Sequence, residues 1–226
     1  MPQGLIGVSA AEQARFTAFY ASLTGLNRPD NTINMFSTSS NIAENRNKIT
    51  TEALRLGVDW VLYLDDDQIL QPDTLDRLLA ADKDIISAHY CQRQSPFNPV
   101  LMQQYANGNH SWKQLEPTDR GIVSIEAAGA GCLLVKRKVL EALQPPYWTL
   151  GQINPASWGD DLDFCLRVRQ AGFTIYCDLE NSIGHIMSGF VFPLFDKQTG
   201  WTAHMVQSSK GVIATWPMPM FGDTIS

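Results

Sequence analysis

Short apolar runs alternate with helical patterns along the first part of the chain. The runs at residues 5–10, 32–36, 60–64 and 84–88 are typical of buried strands. Between them, apolar residues recur at helical spacing, and in the second helix they fall at Ile42, Ile49, Ala53 and Leu56, before Gly57. This alternation predicts an α/β domain with a mostly parallel sheet flanked by helices.

The second half of the chain is less regular. Residues 92–119 carry several prolines and little periodicity, which indicates hairpins or a long loop. Further strands are predicted at 122–126, 132–135 and 173–177, with helices at 136–143 and 160–171. Beyond His185 the periodicity is weak. We therefore expect one domain over residues 1–190 and an extension, 191–226, that packs on it or acts as a lid.

Composition excludes several classes of protein. The chain has 226 residues and a net charge of −6, so it lacks the basic footprint of a nucleic-acid-binding protein. No apolar run reaches the roughly 18 residues that span a bilayer, and the N-terminus lacks the pattern of a signal peptide. The four cysteines form no CxxC pair and lie among apolar neighbours, which predicts reduced core thiols in a cytoplasmic protein.

Three consecutive carboxylates, Asp65, Asp66 and Asp67, follow the central apolar run. In open α/β sheets, ligands bind at the carboxyl ends of the strands. Crowded carboxylates repel one another unless a cation holds them, so a divalent metal ion, Mn²⁺ or Mg²⁺, is the expected partner. The alternative is a solvated acidic turn. Alternation along an extended chain sends Asp65 and Asp67 to one side and Asp66 to the other.

A second acidic pair begins the helix predicted at 160–171. Helical spacing places Asp161 on the apolar face, whereas Asp160, Asp163 and Arg167 share another face. Asp163 and Arg167 should form a surface ion pair, and the helix dipole alone explains an acid at position 160. Asp161, at the inward edge, is a candidate general base.

Two basic or titratable residues could complete such a site. His185 lies among apolar residues and is more often structural in that context, but it could be a further ligand if the acid triplet binds a metal. Arg46 is either a solvent-facing helical residue or a guanidinium that reaches toward a phosphate or a base near the acids.

Small and aromatic residues suggest where a ligand could approach. Ser9 ends the first strand among small residues, and Ala130 and Gly131 precede a buried strand, so the backbone is accessible at both places. Trp148 and Trp158 are either platforms for a sugar ring or core tryptophans.

Four segments resemble the motifs of GT-A-fold glycosyltransferases, closest to the large inverting family, family 2, which includes cellulose synthase-like and bacterial polysaccharide enzymes. They are residues 41–47, the DXD-like triplet at 64–67, the small-residue strand at 129–135 and the acidic motif at 158–167.

This resemblance implies roles for individual residues. Asp65 would contact the nucleotide together with Ser9, Arg46 and Asp66, and Asp67 and His185 would coordinate the metal ion. Asp161 would be the catalytic base, while Ala130, Gly131, Trp158 and Asp160 would line the sugar and acceptor site. The family usually has Glu-Asp where this chain has Asp160-Asp161, so the acid that would position the acceptor is shorter by one methylene group.

The expected function is metal-dependent transfer of a sugar, of hexosyltransferase type, from a nucleotide-diphosphate donor to a hydroxyl acceptor. The acceptor would be a glycan, a small molecule or a protein, and a carboxylate base favours inversion. Three alternatives stay open: a retaining GT-A enzyme, a nucleotidyltransferase and a non-catalytic glycan-binding domain. A nucleotidyltransferase should have a Gly-rich basic loop after the first strand, whereas residues 5–11 contain one glycine and no Lys or Arg.

Overall fold

The chain folds into two compact units, Met1–Ile186 and Met187–Ser226, in the computed structural model. The structure describes residues 3–10, 16–93, 98–104, 110–112, 115, 119–150, 152–153, 156–157, 159–187, 190–196, 200–207 and 211–217.

The helices and strands of the first unit follow each other in mixed order. The helices are α1 (Thr17–Thr24), α2 (Ile42–Leu56), α3 (Thr74–Ala80), α4 (Arg137–Glu141) and α5 (Asp160–Gln170). The strands are β1 (Gly4–Ala10), β2 (Thr32–Thr38), β3 (Trp60–Asp65), β4 (Gln68–Ile69), β5 (Ile85–His89), β6 (Leu101–Gln104), β7 (His110–Trp112), β8 (Ile122–Ile125), β9 (Ala127–Ala128), β10 (Cys132–Lys136), β11 (Gln152–Ile153), β12 (Ala156–Ser157), β13 (Ile175–Ser182) and β14 (Gly184–His185).

A seven-stranded sheet forms the centre of this unit, in the order β2-β1-β3-β10-β5-β13-β8. Strands β1, β2 and β3 are mutually parallel, as are β5 and β13. Strand β10 is antiparallel to both β3 and β5, and β8 is antiparallel to β13. The sheet is therefore mostly parallel, with helices against it, which confirms the predicted α/β class.

The central strand is buried on both faces because its side chains alternate between two cores. Val61 and Tyr63 belong to one hydrophobic cluster, and Leu62 and Leu64 belong to the other. Burial on both faces accounts for the uninterrupted apolar run that predicted this strand.

Helix α2 begins and ends at the residues that its sequence predicts. The Asn41 side chain accepts hydrogen bonds from the backbone N–H groups of Ala43 and Glu44, and Gly57 adopts a left-handed conformation with φ of 66°. The predicted buried face was wrong at its first residue, because Ile42 is 38% exposed. The buried stripe instead includes polar residues, Asn45, Arg46 and Thr50, besides Ala43, Ile49 and Ala53.

The irregular middle of the chain contributes short strands outside the main sheet. Strand β6 pairs antiparallel with β7 and with β9, so hairpin-like pairing is present where hairpins or a loop were predicted. Cys132, Cys165 and Cys177 are buried free thiols, as expected, but Cys91 is exposed, so the prediction of a core thiol was wrong there. Among the described residues, no helix combines the length and apolar character needed to cross a membrane.

The second unit contains a three-stranded antiparallel sheet. Strand β15 (Phe190–Asp196) pairs with β16 (Gly200–Gln207), which pairs with β17 (Gly211–Pro217). Weak side-chain periodicity hid these strands from the sequence analysis. The role of residues 191–226 as a packed extension or lid stays a prediction.

Candidate active site

The carboxyl ends of five parallel strands meet at one edge of the main sheet. Strands β1, β2, β3, β5 and β13 end there, and the antiparallel strand β10 begins there. The backbone N–H of Asp65 donates to the carbonyl oxygen of Gly131, at 3.1 Å, just before β10 starts. Ligands of α/β sheets bind at this edge, and the acid triplet lies on it.

A short pair of strands connects the acid triplet to His185. Strands β4 and β14 are antiparallel, with Gln68 opposite His185. The backbone N–H of Ile186 also donates to the carbonyl oxygen of Asp67, at 2.8 Å. As a result, Nε2 of His185 lies 3.5 Å from Oδ1 of Asp67.

A cavity of about 390 Å³ opens at this edge. Its volume lies within the range of small-molecule sites. It brings together four residues that the sequence singled out, at widely separated positions: Asp65, Asp67, Asp161 and His185. The other described residues that line it are Gln68, Tyr90, Gln92, Arg93 and Val100.

Arg46 joins the two acidic motifs beneath this cavity. Its side chain is 3% exposed, so the solvent-facing alternative was wrong. Nη2 lies 2.8 Å from Oδ1 of Asp65, and Nη1 lies 2.8 Å from both carboxylate oxygens of Asp160. This guanidinium therefore neutralises two carboxylates, and its contact with a nucleotide stays a prediction.

The predicted faces of α5 need one correction. Asp160 was expected on the same exposed side as Asp163 and Arg167, but it is buried against Arg46. Asp161 is half-buried and faces the cavity, and its Oδ1 accepts a hydrogen bond from the backbone N–H of Leu162 at 2.8 Å. The predicted ion pair between Asp163 and Arg167 is present at 4.0 Å.

Burial makes two carboxyl groups of the site, those of Asp65 and Asp161, harder to ionise. Burial raises the pKa of Asp161 despite the opposing charge of Arg46. Burial raises the pKa of Asp65 as well, against the attraction of Arg46. For Arg46, burial disfavours the charge, but Asp65 and Asp160 reverse that effect and raise its pKa. The site thus holds acids that accept a proton more readily than exposed ones.

The small residues before β10 make room for Tyr90. A Cβ atom on Gly129 would lie 2.3 Å from the Tyr90 hydroxyl, and one on Gly131 would lie 2.8 Å from it. The Gly131 backbone N–H donates to that hydroxyl at 3.0 Å. Ala130 is buried in the core. These glycines therefore shape the cavity wall through Tyr90, and contact with a sugar stays a prediction.

Other predicted site residues lie elsewhere. Ser9 is buried next to Asp65 in the register of the sheet, and Asp66 is buried; neither is among the described residues that line the cavity. Trp148 is 1% exposed and stacks on Phe164 with ring centroids 4.0 Å apart, so it is a core residue and not a sugar platform. Trp158 lies outside the described residues.

Several residues of the cavity were missed by the sequence analysis. Tyr90, Gln92 and Arg93 directly follow β5, so their place after a strand was a usable indication. Gln68 follows the acid triplet, and its Nε2 lies 3.3 Å from Oδ1 of Asp67. None of these residue types stands out in a sequence, because glutamine, tyrosine and arginine are common on ordinary surfaces.

The donors near Asp67 can be compared with what a divalent cation requires. Within the described part of the chain, no group of three or more His, Cys, Asp or Glu side chains is arranged to hold a metal ion. Asp67 and His185 offer two ligands of types that Mn²⁺ accepts. Nδ1 of His185 lies 2.7 Å from the carbonyl oxygen of Cys91, a contact that requires an N–H at Nδ1. A neutral ring in that tautomer turns a lone pair at Nε2 toward Asp67, as in many metal-binding histidines.

A family model matches part of the chain, and solved structures share its fold. The Anp1 family model matches residues 37–122, which include Arg46 and the acid triplet but less than half of the chain. No curated protein matches the chain significantly in sequence. The protein A197 from STIV shares the fold with a TM-score of 0.58 and 10% identity, over 99% of this chain and 98% of that one.

GalNAc-T7, in a crystal structure with UDP, GalNAc and Mn²⁺, also matches with a TM-score of 0.58 and 10% identity. The match covers 82% of this chain and 44% of GalNAc-T7, so this chain spans less than half of that protein. At such identities the two structures show the shared fold alone. The fold that this chain shares with GalNAc-T7 is GT-A-like.

Proposed function

We propose that this protein is a metal-dependent glycosyltransferase that moves a sugar from a nucleotide-diphosphate donor to a hydroxyl acceptor with inversion. The observation that carries the proposal is the convergence of Asp65, Asp67, Asp161 and His185 on one cavity at the carboxyl edge of the sheet. These residues come from three separate segments, and a shared ligand site accounts for their convergence on one cavity.

Asp67 and His185 are the proposed metal ligands. With an N–H at Nδ1, a neutral His185 faces the Asp67 carboxylate across 3.5 Å with no proton between them. A cation between them would be attracted to both the Nε2 lone pair and the carboxylate oxygen. Two protein ligands suit Mg²⁺ or Mn²⁺ at a diphosphate, because substrate phosphates and water complete the coordination. When bound, the cation would stabilise the negative charge of the leaving nucleoside diphosphate.

Asp161 is the proposed general base. The Leu162 backbone N–H donates a hydrogen bond to one carboxylate oxygen of Asp161, and the other oxygen can accept one from the hydroxyl of an acceptor. The pKa of Asp161, raised by burial, increases its affinity for the proton that the acceptor loses. A single displacement with such a base inverts the anomeric centre, whereas a retaining enzyme would not require it.

Arg46 and Asp160 would position these groups. Because Asp160 is the residue before Asp161, the buried pair with Arg46 holds the start of α5 next to the end of β3. We therefore assign Asp160 to positioning of the base rather than to direct acceptor binding.

Thermal unfolding with and without Mn²⁺, over a panel of nucleoside diphosphates, tests the proposal. At least one diphosphate should stabilise the wild type only when Mn²⁺ is present, by about 2.7 kcal/mol at a hundredfold excess over Kd. Asp67→Ala should lose this stabilisation, and Asp30→Ala, which removes an exposed carboxylate, should keep it.

The same preparations should hydrolyse or transfer one nucleotide-sugar of a broad donor panel. Binding of a diphosphate without any turnover would favour the glycan-binding alternative, and release of pyrophosphate from a nucleoside triphosphate would favour a nucleotidyltransferase. If no diphosphate stabilises the wild type and no donor is consumed, the proposed function is wrong.

A further inference from the structure

Arg93 contacts the proposed metal ligand Asp67, and the proposed mechanism does not use it. Its Nη1 lies 2.8 Å from Oδ2 of Asp67, while the other carboxylate oxygen, Oδ1, faces His185. The Arg93 side chain is 46% exposed, whereas that of Asp67 is 7% exposed. Arg93 thus covers a nearly buried carboxylate from the solvent side.

We propose that Arg93 is a displaceable counter-ion of Asp67: a divalent cation must displace it, and its guanidinium then pairs with the diphosphate of the donor. This inference rests on the proposed function. A cation and Arg93 compete because both are attracted to the same carboxylate.

The exposure of the two arginines near the acids decides which of them can move. Arg93 is half-exposed, so water can solvate its guanidinium when it leaves, and the incoming cation then neutralises the nearly buried Asp67 carboxylate. Arg46 is 3% exposed and paired with two carboxylates, so breaking its contacts would leave buried charges without partners.

The position of Arg93 decides what it can contact next. It lines the same cavity as Asp67 and His185, so a displaced guanidinium stays near any diphosphate bound there. Guanidinium groups bind phosphate oxygens through paired hydrogen bonds. Binding of the cation and of the diphosphate should therefore be coupled, because each favours the displaced position of Arg93.

Direct binding of Mn²⁺ alone, measured by electron paramagnetic resonance on the full chain, tests the competition. Arg93→Gln should bind Mn²⁺ about two- to fivefold more tightly than wild type, the amount that a half-exposed ion pair can account for. Arg120→Gln is the matched control, since it removes the same charge from an exposed pair with Glu180 and should leave Mn²⁺ affinity unchanged.

Binding of inorganic pyrophosphate at saturating Mn²⁺, measured by calorimetry, tests the second role. Arg93→Gln should bind it about tenfold more weakly, because a charge-assisted hydrogen bond is lost. Arg93→Lys should keep the wild-type affinity for Mn²⁺ but lose part of the pyrophosphate affinity, since an ammonium lacks the paired donors.

Two results would overturn the inference in different ways. If Asp67→Ala loses Mn²⁺ while Arg93→Gln binds it no more tightly than wild type, Arg93 does not compete and the proposed metal site stands. If Asp67→Ala binds Mn²⁺ as tightly as wild type, the metal site itself is wrong, and the role of Arg93 is wrong with it.

Discussion

Arg46 lies 2.8 Å, through Nη1, from both carboxylate oxygens of Asp160, which is 114 residues later in the chain. Its other terminal nitrogen lies 2.8 Å from Asp65. One buried guanidinium thus ties helix α2 to the end of β3 and to the start of α5. The position of Asp161, the next residue along α5, depends on this contact.

Replacing Arg46 with methionine should lower the free energy of unfolding by about 3–5 kcal/mol, because two carboxylates lose their buried counter-ion. Urea unfolding measures the loss. Arg55→Met is the matched control: Arg55 is 66% exposed and pairs with Glu52, so its removal should cost less than about 1 kcal/mol. Similar losses in the two variants would show that the Arg46 contacts are not a buried ion-pair network.

Replacing Asp161 with asparagine should stabilise the protein at neutral pH. Burial raises the pKa of Asp161 in the folded state above its ordinary value of 3.8, so the folded protein binds this proton more tightly than the unfolded chain does. Ionisation at pH 7 therefore costs stability, and asparagine removes that cost. The difference should shrink as the pH falls through the raised pKa and disappear below 3.8.

Unfolding curves at several pH values check this dependence, with Asp163→Asn as the control. Asp163 pairs with Arg167, so its replacement should give no gain at pH 7. The Asp161→Asn variant should also keep nucleotide binding and lose transfer. A variant that is less stable than wild type at pH 7, or one that transfers sugar at the wild-type rate, would contradict the assignment.

Replacing Gly159 with alanine should impair catalysis more than stability. An added Cβ would lie 2.5 Å from Oδ1 of Asp161, the flexible end of that side chain, so the carboxylate must turn while the backbone can stay. The backbone of Gly159 has φ of −60°, which alanine adopts without strain. We expect a stability change below about 1 kcal/mol, as for most substitutions without a buried clash, but a loss of transfer of about tenfold or more.

Gly25→Ala is the control for this substitution. Gly25 ends α1 with φ of −80°, and an added Cβ would meet its nearest atoms at 3.7 Å, so neither stability nor transfer should change much. If Gly159→Ala and Gly25→Ala transfer sugar at the same rate, the orientation of Asp161 does not matter to the reaction.

The order of strands and helices could be predicted because it depends on neighbouring residues. The apolar run at 60–64 predicted β3, and Asn41 and Gly57 marked the ends of α2. Alternation predicted that Asp65 and Asp67 share one side, and both line the cavity, although Asp67 lies in a turn after β3 and not in the strand. The three strands of the second unit were missed because their side chains give little period-two pattern.

The sequence by itself determined the α/β class and the acids that follow its central strand, since both arise from local spacing. Only the tertiary structure decided which charges meet. Apolar periodicity predicts that the buried stripe of α2 is hydrophobic. It cannot show that the Arg46 side chain is part of that stripe, because a buried arginine is stable only when acids from distant parts of the chain neutralise it. The contact of Arg93 with Asp67 likewise joins the segments that follow β3 and β5, two strands on either side of β10 in the sheet.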